Sequence, residues 1–144
     1  MGLVSSVRER NVREETENFH RNQIALTVDY IHNNLHRKLT VEELADKAIM
    51  SIFHFQRVFK NHTGYGVREY IRNELLDGAA KDLRETDIKV KNIQEKAHYD
   101  SPEVFSRAFK TRFGVSPSLY REQESAYQEV AILLKDVYQE ENLV

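Results

Sequence analysis

Ser51-Ile-Phe-His-Phe-Gln-Arg-Val-Phe-Lys60 returns fifty residues later as Ser101-Pro-Glu-Val-Phe-Ser-Arg-Ala-Phe-Lys110. Both copies carry Phe-x-Arg-x-Phe-Lys. Each is followed at the same distance by a glycine, Gly64 or Gly114, and then by a tyrosine, Tyr70 or Tyr120. A repeat of this kind predicts one structural unit used twice. In the first copy the spacing predicts a helix with Phe55, Val58 and Phe59 on one side and Phe53, Gln56, Arg57 and Lys60 on the other. Ser51 suits its N-cap, and Gly64 suits the left-handed residue just past its end.

Outward from this helix the same grammar continues. Upstream, Ile24, Val28, Ile31 and Leu35 fall on one helical face. Thr40 with Glu43 three residues on reads as a capping box opening a short helix over 41–48. Ile49-Met50-Ser51 is left as a tight turn. Downstream, Tyr70, Ile71, Leu75, Leu76, Ala79, Ala80 and Leu83 give the buried stripe of a longer helix over about 67–84. That helix carries Gly78 in its interior, at a cost of roughly 1 kcal/mol against alanine. The repeat then predicts a short helix over 90–97, a turn through His98-Tyr99-Asp100 and a helix over about 102–112. Pro102 and Pro117 each sit where a helix begins.

The bulk numbers bound what such a chain can be. At 144 residues it has room for one compact unit or two very small ones. With no cysteine there are no disulfides and no thiolate zinc sites, which fits a cytoplasmic setting. No apolar run is long enough to span a bilayer, so no membrane partner is expected. Net charge is −2, but it is unevenly placed: +3 over 21–122, −1 over 1–20 and −4 over 123–144. The repeat-bearing middle is thus mildly basic and the C-terminal end acidic. Residues 1–20 read as a polar arm, frayed though with helical character. Past Tyr120 the pattern stays helical, with Tyr127, Val130, Leu134, Val137 and Tyr138 making about two heptads. Such a helix either docks on its own domain or serves self-association or a missing effector domain.

Two helices joined by a tight turn, the second with a polar and basic outer face, make a helix-turn-helix. Counting from Val41, the apolar and small positions of that template fall on Leu44, Ala45, Ala48, Met50, Phe55 and Val58, all suitable. The position that normally holds glycine is Ile49. In the second copy the corresponding residues are Ile93, Gln94, Ala97, His98 and Tyr99. With Leu39-Thr-x-Glu-Glu-Leu-Ala45 in the first half and Asp100-Ser-x-x-x-Phe-Ser-Arg-Ala-Phe-Lys-x-x-Phe-Gly-Val-Ser-Pro-x-x-Tyr-Arg121 in the second, the chain resembles the DNA-binding region of the AraC/XylS family of bacterial transcription regulators. The resemblance covers about residues 22–122.

That resemblance implies an all-α fold. Two helix-turn-helix subdomains (21–66 and 86–122) would be joined by a linker helix (67–85) and flanked by the arm (1–20) and an extra C-terminal helix (123–144). It implies a sequence-specific regulator of transcription, an activator that contacts RNA polymerase, with double-stranded DNA as its partner. It implies neither enzyme activity nor a cofactor. Adjacent major grooves on one face of DNA lie about 34 Å apart, and a linker of about 17 residues spans about 25 Å, so one chain could read both. The family's base-reading positions fall on Ile52, Phe53, Gln56 and Arg57, and on Pro102, Glu103, Val104 and Arg107. Gln56 suits adenine, the arginines suit guanine, Glu103 suits a cytosine amino group and Phe53 suits a thymine methyl. Ser51, Lys60, Ser101, Lys110 and Arg112 fall at phosphate-contacting positions. A salt bridge within the domain is the competing role for Arg57 and Arg107.

Three departures stand out. A β-branched residue is strained in the left-handed region, so Ile49 predicts a rebuilt first turn. Gln94 replaces the family's alanine and predicts looser packing in the second half. The linker reads Asn73-Glu-Leu-Leu-Asp-Gly78, acidic where phosphates would approach. With the near-neutral charge these motivate an alternative, a protein-interaction module of the same fold with weak or lost DNA binding. His32 and His36, at i and i+4, lack a third ligand and read as a solvated helix end. No catalytic constellation is legible. The 20 residues before the repeat-bearing region and the 22 after it are too few for a sensor domain. The chain therefore either acts alone or belongs to a longer regulator.

Overall fold

The computed structural model describes residues 2–141, and these are all-α. Seven helices run in order: α1 (Gly2–Asn33), α2 (Val41–Lys47), α3 (Ile52–Thr63), α4 (Val67–Glu85), α5 (Val90–Lys96), α6 (Pro102–Phe113) and α7 (Pro117–Glu141). The chain divides into two compact units, one ending at Arg72 and the other starting at Asn73. The boundary falls inside α4, which is uninterrupted across it.

In the first unit the core is Ile24 and Ile31 of α1, Leu44, Ala45 and Ala48 around α2, and Phe55, Val58 and Phe59 of α3, closed by Val67. These are the residues whose helical spacing marks one face, so burial follows the pattern. Thr40 caps α2 by accepting from the Glu43 amide at 3.2 Å. Arg37 then makes two hydrogen bonds to the Glu43 carboxylate, at 3.0 and 2.7 Å, and donates to the Tyr30 hydroxyl at 2.7 Å. This network ties the end of α1 to the start of α2. It raises the Arg37 pKa and holds the Glu43 carboxyl below the usual glutamate range, chiefly through the hydrogen bonds between them. In the second unit Leu76, Ala79, Ala80 and Leu83 of α4 pack with Ile93, Ala97, Phe105 and Phe109.

The structure corrects several expectations. The first turn is not rebuilt. Ile49 keeps the left-handed conformation at φ 58°, and His98 does the same at φ 65°. Paired hydrogen bonds hold both. Ile49 and Met50 N–H donate to Asp46 and Ala45 carbonyls, each at 3.0 Å; His98 and Tyr99 N–H donate to Glu95 and Gln94 carbonyls at 3.0 and 3.1 Å. This is the helix-terminating pattern that satisfies the orphan carbonyls of α2 and α5. Two turns one residue apart in length therefore share one geometry, without glycine. Nor does Gln94 loosen the second half. It is buried, and its amide donates to the Tyr99 carbonyl at 3.0 Å, inside the turn. Gln23 of α1 does a related job in the first unit, donating to the Ala48 carbonyl at 3.3 Å.

The ends differ too. The stretch read as a polar arm is helical and continuous with α1, although its side chains from Val7 to Phe19 are exposed. At the other end the C-terminal segment over 123–141 is no separate helix but the continuation of α7, residues 142–144 of the expected helix lying outside the described residues, and every described residue from Ser125 onward is exposed. It is not docked on its own unit. His32 is more than a solvated end, because its Nε2 lies 3.2 Å from the Tyr70 hydroxyl. Among the described residues no group of three metal-ligating side chains occurs, and no helix is long and apolar enough to cross a membrane.

Candidate nucleic-acid interface

The first candidate reading helix, α3, is anchored by Phe55 and Phe59, both fully buried, with ring centroids 5.6 Å apart. Their burial fixes which way the helix faces. Ile52, Phe53, Gln56, Arg57 and Lys60 are consequently all exposed. Phe53 is the extreme case, an aromatic ring 86% exposed on the first turn. Ser51 caps the helix, its hydroxyl oxygen accepting from the His54 amide at 3.3 Å, and this leaves its O–H free to donate. Arg57 has no carboxylate partner among the described residues; its guanidinium lies 3.0 Å from His54 Nδ1 instead.

In the second unit, α6 is oriented in the same way. Phe105 and Phe109 are buried, with Tyr99, Phe113 and Tyr120 stacked around them. Pro102, Glu103, Val104, Arg107 and Lys110 are exposed. Arg107 has no ion-pair partner among the described residues, so the competing salt-bridge role is not seen for either repeated arginine. Ser101 is more committed than Ser51. Its oxygen accepts from the Val104 amide at 3.4 Å while its O–H donates to the Glu103 carboxylate at 2.7 Å. That hydrogen bond lowers the Glu103 pKa, so the carboxylate stays an acceptor. Arg112 is engaged as well. It makes two hydrogen bonds to Asp77, at 2.7 and 2.9 Å. The acidic patch of α4 is thereby partly neutralised within the fold, and a phosphate would have to compete with Asp77 for Arg112.

Residues 44–123 match the family described as "Helix-turn-helix domain". Over 104 residues the chain is 36% identical to the HTH-type transcriptional activator AarP of Providencia stuartii, covering 72% of this chain and 77% of that one. The chain belongs to the AraC/XylS family of DNA-binding transcription regulators. It is also 32% identical over 105 residues to the multiple antibiotic resistance protein MarA of Escherichia coli, covering 70% and 83% of the two chains. Among solved structures it resembles the DNA-binding domain of AdpA in complex with a target DNA, with a TM-score of 0.69 and 27% identity over 74% of this chain and 96% of that one. The family is one of regulators, not enzymes.

Within that family this chain has features its repeat did not announce. Arg121, quoted above only as part of a motif, donates to the Leu83 and Thr86 carbonyls, each at 3.2 Å, and so caps the C-terminal end of α4. Arg84 donates to the Tyr120 hydroxyl at 2.7 Å, which raises the Arg84 pKa. His54 lies one turn before Arg57, a spacing at which helical side chains meet, so its contact with Arg57 was available from sequence. The partner of His54 on α1, His20, was not.

Proposed function

We propose that this regulator binds duplex DNA by placing α3 and α6 in successive major grooves and that it activates transcription by contacting RNA polymerase. The observation carrying this reading is the repeated exposed face, Phe53-Gln56-Arg57-Lys60 and Val104-Arg107-Lys110, each set by a buried phenylalanine pair. Supporting it, the 19 residues of α4 rise about 28 Å, of the order of the roughly 34 Å between grooves on one face. Gln56 and Arg57 pair with base edges; Phe53 and Val104 pack on thymine methyls; Ser51, Lys60 and Lys110 meet phosphates. The second helix is the poorer reader, since Pro102 lacks a polar side chain and Glu103 is held by Ser101. Residues Ser101 and Arg112, assigned to phosphates by resemblance, contribute only if they exchange Glu103 and Asp77 for DNA.

The test is a salt titration of binding to a duplex obtained by selection from random sequence. Each phosphate neutralised by a lysine or arginine predicts a loss of about half an order of magnitude between 50 and 200 mM salt, so Lys60, Lys110 and Arg112 together predict about one and a half orders. Arg57→Ala and Arg107→Ala should each relax preference at one base pair by about 1–3 kcal/mol. Failure to reach submicromolar affinity at low salt on any selected duplex would instead favour the protein-interaction module. Transcription in vitro with purified polymerase decides the activator assignment.

The exposed stripe of α7 favours a second role, pairing with another copy of this chain. Tyr127, Val130, Leu134, Val137 and Tyr138 are all at least half exposed along one side. Ala126, Ala131 and Leu133 flank that side, while Glu140 and Glu141 fall on it at the far end, so like charges would face each other only there. Sedimentation of the chain and of Leu134→Asp tests this; equal monomeric behaviour of both would rule it out.

A further inference from the structure

Arg57 is one of three groups in a hydrogen-bonded line. Its Nη2 lies 3.0 Å from His54 Nδ1, and His54 Nε2 lies 3.2 Å from His20 Nε2. The two imidazoles meet edge to face, with centroids 5.0 Å apart and planes at 68°. Both rings are half-buried, whereas Arg57 is exposed. His20 belongs to α1, outside the span matched to the family, and Phe19 lies beside it with ring centroids 6.2 Å apart.

The chemistry of the groups fixes the direction of the line. A guanidinium has donors and no acceptor. His54 Nδ1 must therefore accept, which puts the imidazole proton on Nε2. That N–H can only point to His20 Nε2, which accepts in turn and carries its own proton on Nδ1. One arrangement of protons satisfies every member, running from Arg57 through His54 to His20. A long arginine side chain loses about 0.5–1.5 kcal/mol of rotamer freedom when it is immobilised in an interface. A guanidinium already held in the free protein loses less.

We propose that His54, oriented by His20, is a positioning residue for Arg57, holding the guanidinium ready for a base edge before DNA arrives. This rests on Arg57 being a base reader, and the experiment separates the two ideas. Long-range 1H–15N correlation in the free full-length protein should show His54 as the Nε2–H tautomer, becoming a mixture in Arg57→Ala and in His20→Phe. In binding assays His54→Ala should weaken discrimination at the base pair identified by Arg57→Ala by about three- to tenfold. Discrimination at the position read by Gln56 should stay unchanged. His54→Gln, whose amide oxygen can accept from the guanidinium, should restore most of the loss, and His54→Ala should add nothing in an Arg57→Ala background. An Nδ1–H tautomer at His54, or equal weakening by His54→Ala on every duplex, overturns the positioning role while leaving Arg57 a base reader. Should His54→Ala not fold, His20→Phe carries the same comparison, with no change in tautomer or discrimination counting against the proposal. If Arg57→Ala itself weakens all duplexes equally, the base-reading assignment fails, whatever tautomer is found.

Discussion

Exchanging Ile49 for glycine and for alanine probes the turn on which the first reading helix depends. Ile49 sits at φ 58° with its side chain 72% exposed. An L-residue in that region costs roughly 1–2 kcal/mol, and a β-branched one belongs at the upper end. Alanine keeps this penalty, whereas glycine removes it but adds about 0.4–1 kcal/mol of unfolded-chain entropy. Ile49→Gly should therefore be more stable than Ile49→Ala by about 0.5–1 kcal/mol. Against the parent, both variants lose the buried part of the isoleucine, less than a third of a side chain and about 0.5 kcal/mol. Glycine thus comes out level with the parent or above it, and alanine level with it or at most about 0.5 kcal/mol below. The chain has no tryptophan and divides into two units, so a single spectroscopic melt would mix their signals. Native-state hydrogen exchange of the α3 amides reads the first unit alone. Alanine equal to or better than glycine at this position would mean that the left-handed turn is not held in solution.

The opposite order is expected at Gly78, which lies mid-helix with nothing within 4 Å of where a Cβ would stand. Gly78→Ala should stabilise the second unit by about 0.8–1 kcal/mol, read by native-state exchange of the α6 amides. Gln94→Ala removes the hydrogen bond to the Tyr99 carbonyl and leaves space in the core; a loss of about 1–2 kcal/mol is expected, read by exchange of the α6 amides. Acid should act on the first unit through Glu43, whose folded pKa is lowered by Arg37. Its contribution is complete above the ordinary glutamate value of about 4.3 and disappears as the pH falls through the lower folded value. The stability gap between the parent and Glu43→Gln, followed by exchange of the α3 amides from pH 7 down to pH 3, should close over that window and nowhere above it.

The core was legible because phenylalanines at helical spacing have few places to go. Phe55, Phe59, Phe105 and Phe109 are all buried, and Thr40 and Ser51 cap their helices as their side chains suggest; Ser101, read only as a phosphate contact, caps α6 as well. Gly64 and Gly114 adopt the left-handed conformation their position required. Local rules misjudged Ile49 because a residue's intrinsic strain can be outweighed by the hydrogen bonds around it. The described side chains from Val7 to Phe19 and from Ser125 to Glu141 are exposed, so burial imposes no pattern there for a reader to find. Side-chain commitments across the fold were the hardest to foresee. Arg112 meets Asp77 from 35 positions away, and His20 meets His54 from 34. No spacing rule spans such intervals.

The grip of Arg121 on the end of α4 gives α7 a mechanical character. Tyr120 is wedged against Phe109 and Phe113 and bonded to Arg84, and Arg121 holds the last carbonyls of α4. Beyond this clamp α7 runs on to Glu141 with no proline or glycine to bend it. A body attached to its far end would be mounted on a stiff handle rather than a tether. Any tilt forced on the handle would be delivered at the clamp, against the phenylalanines that set the aim of α6.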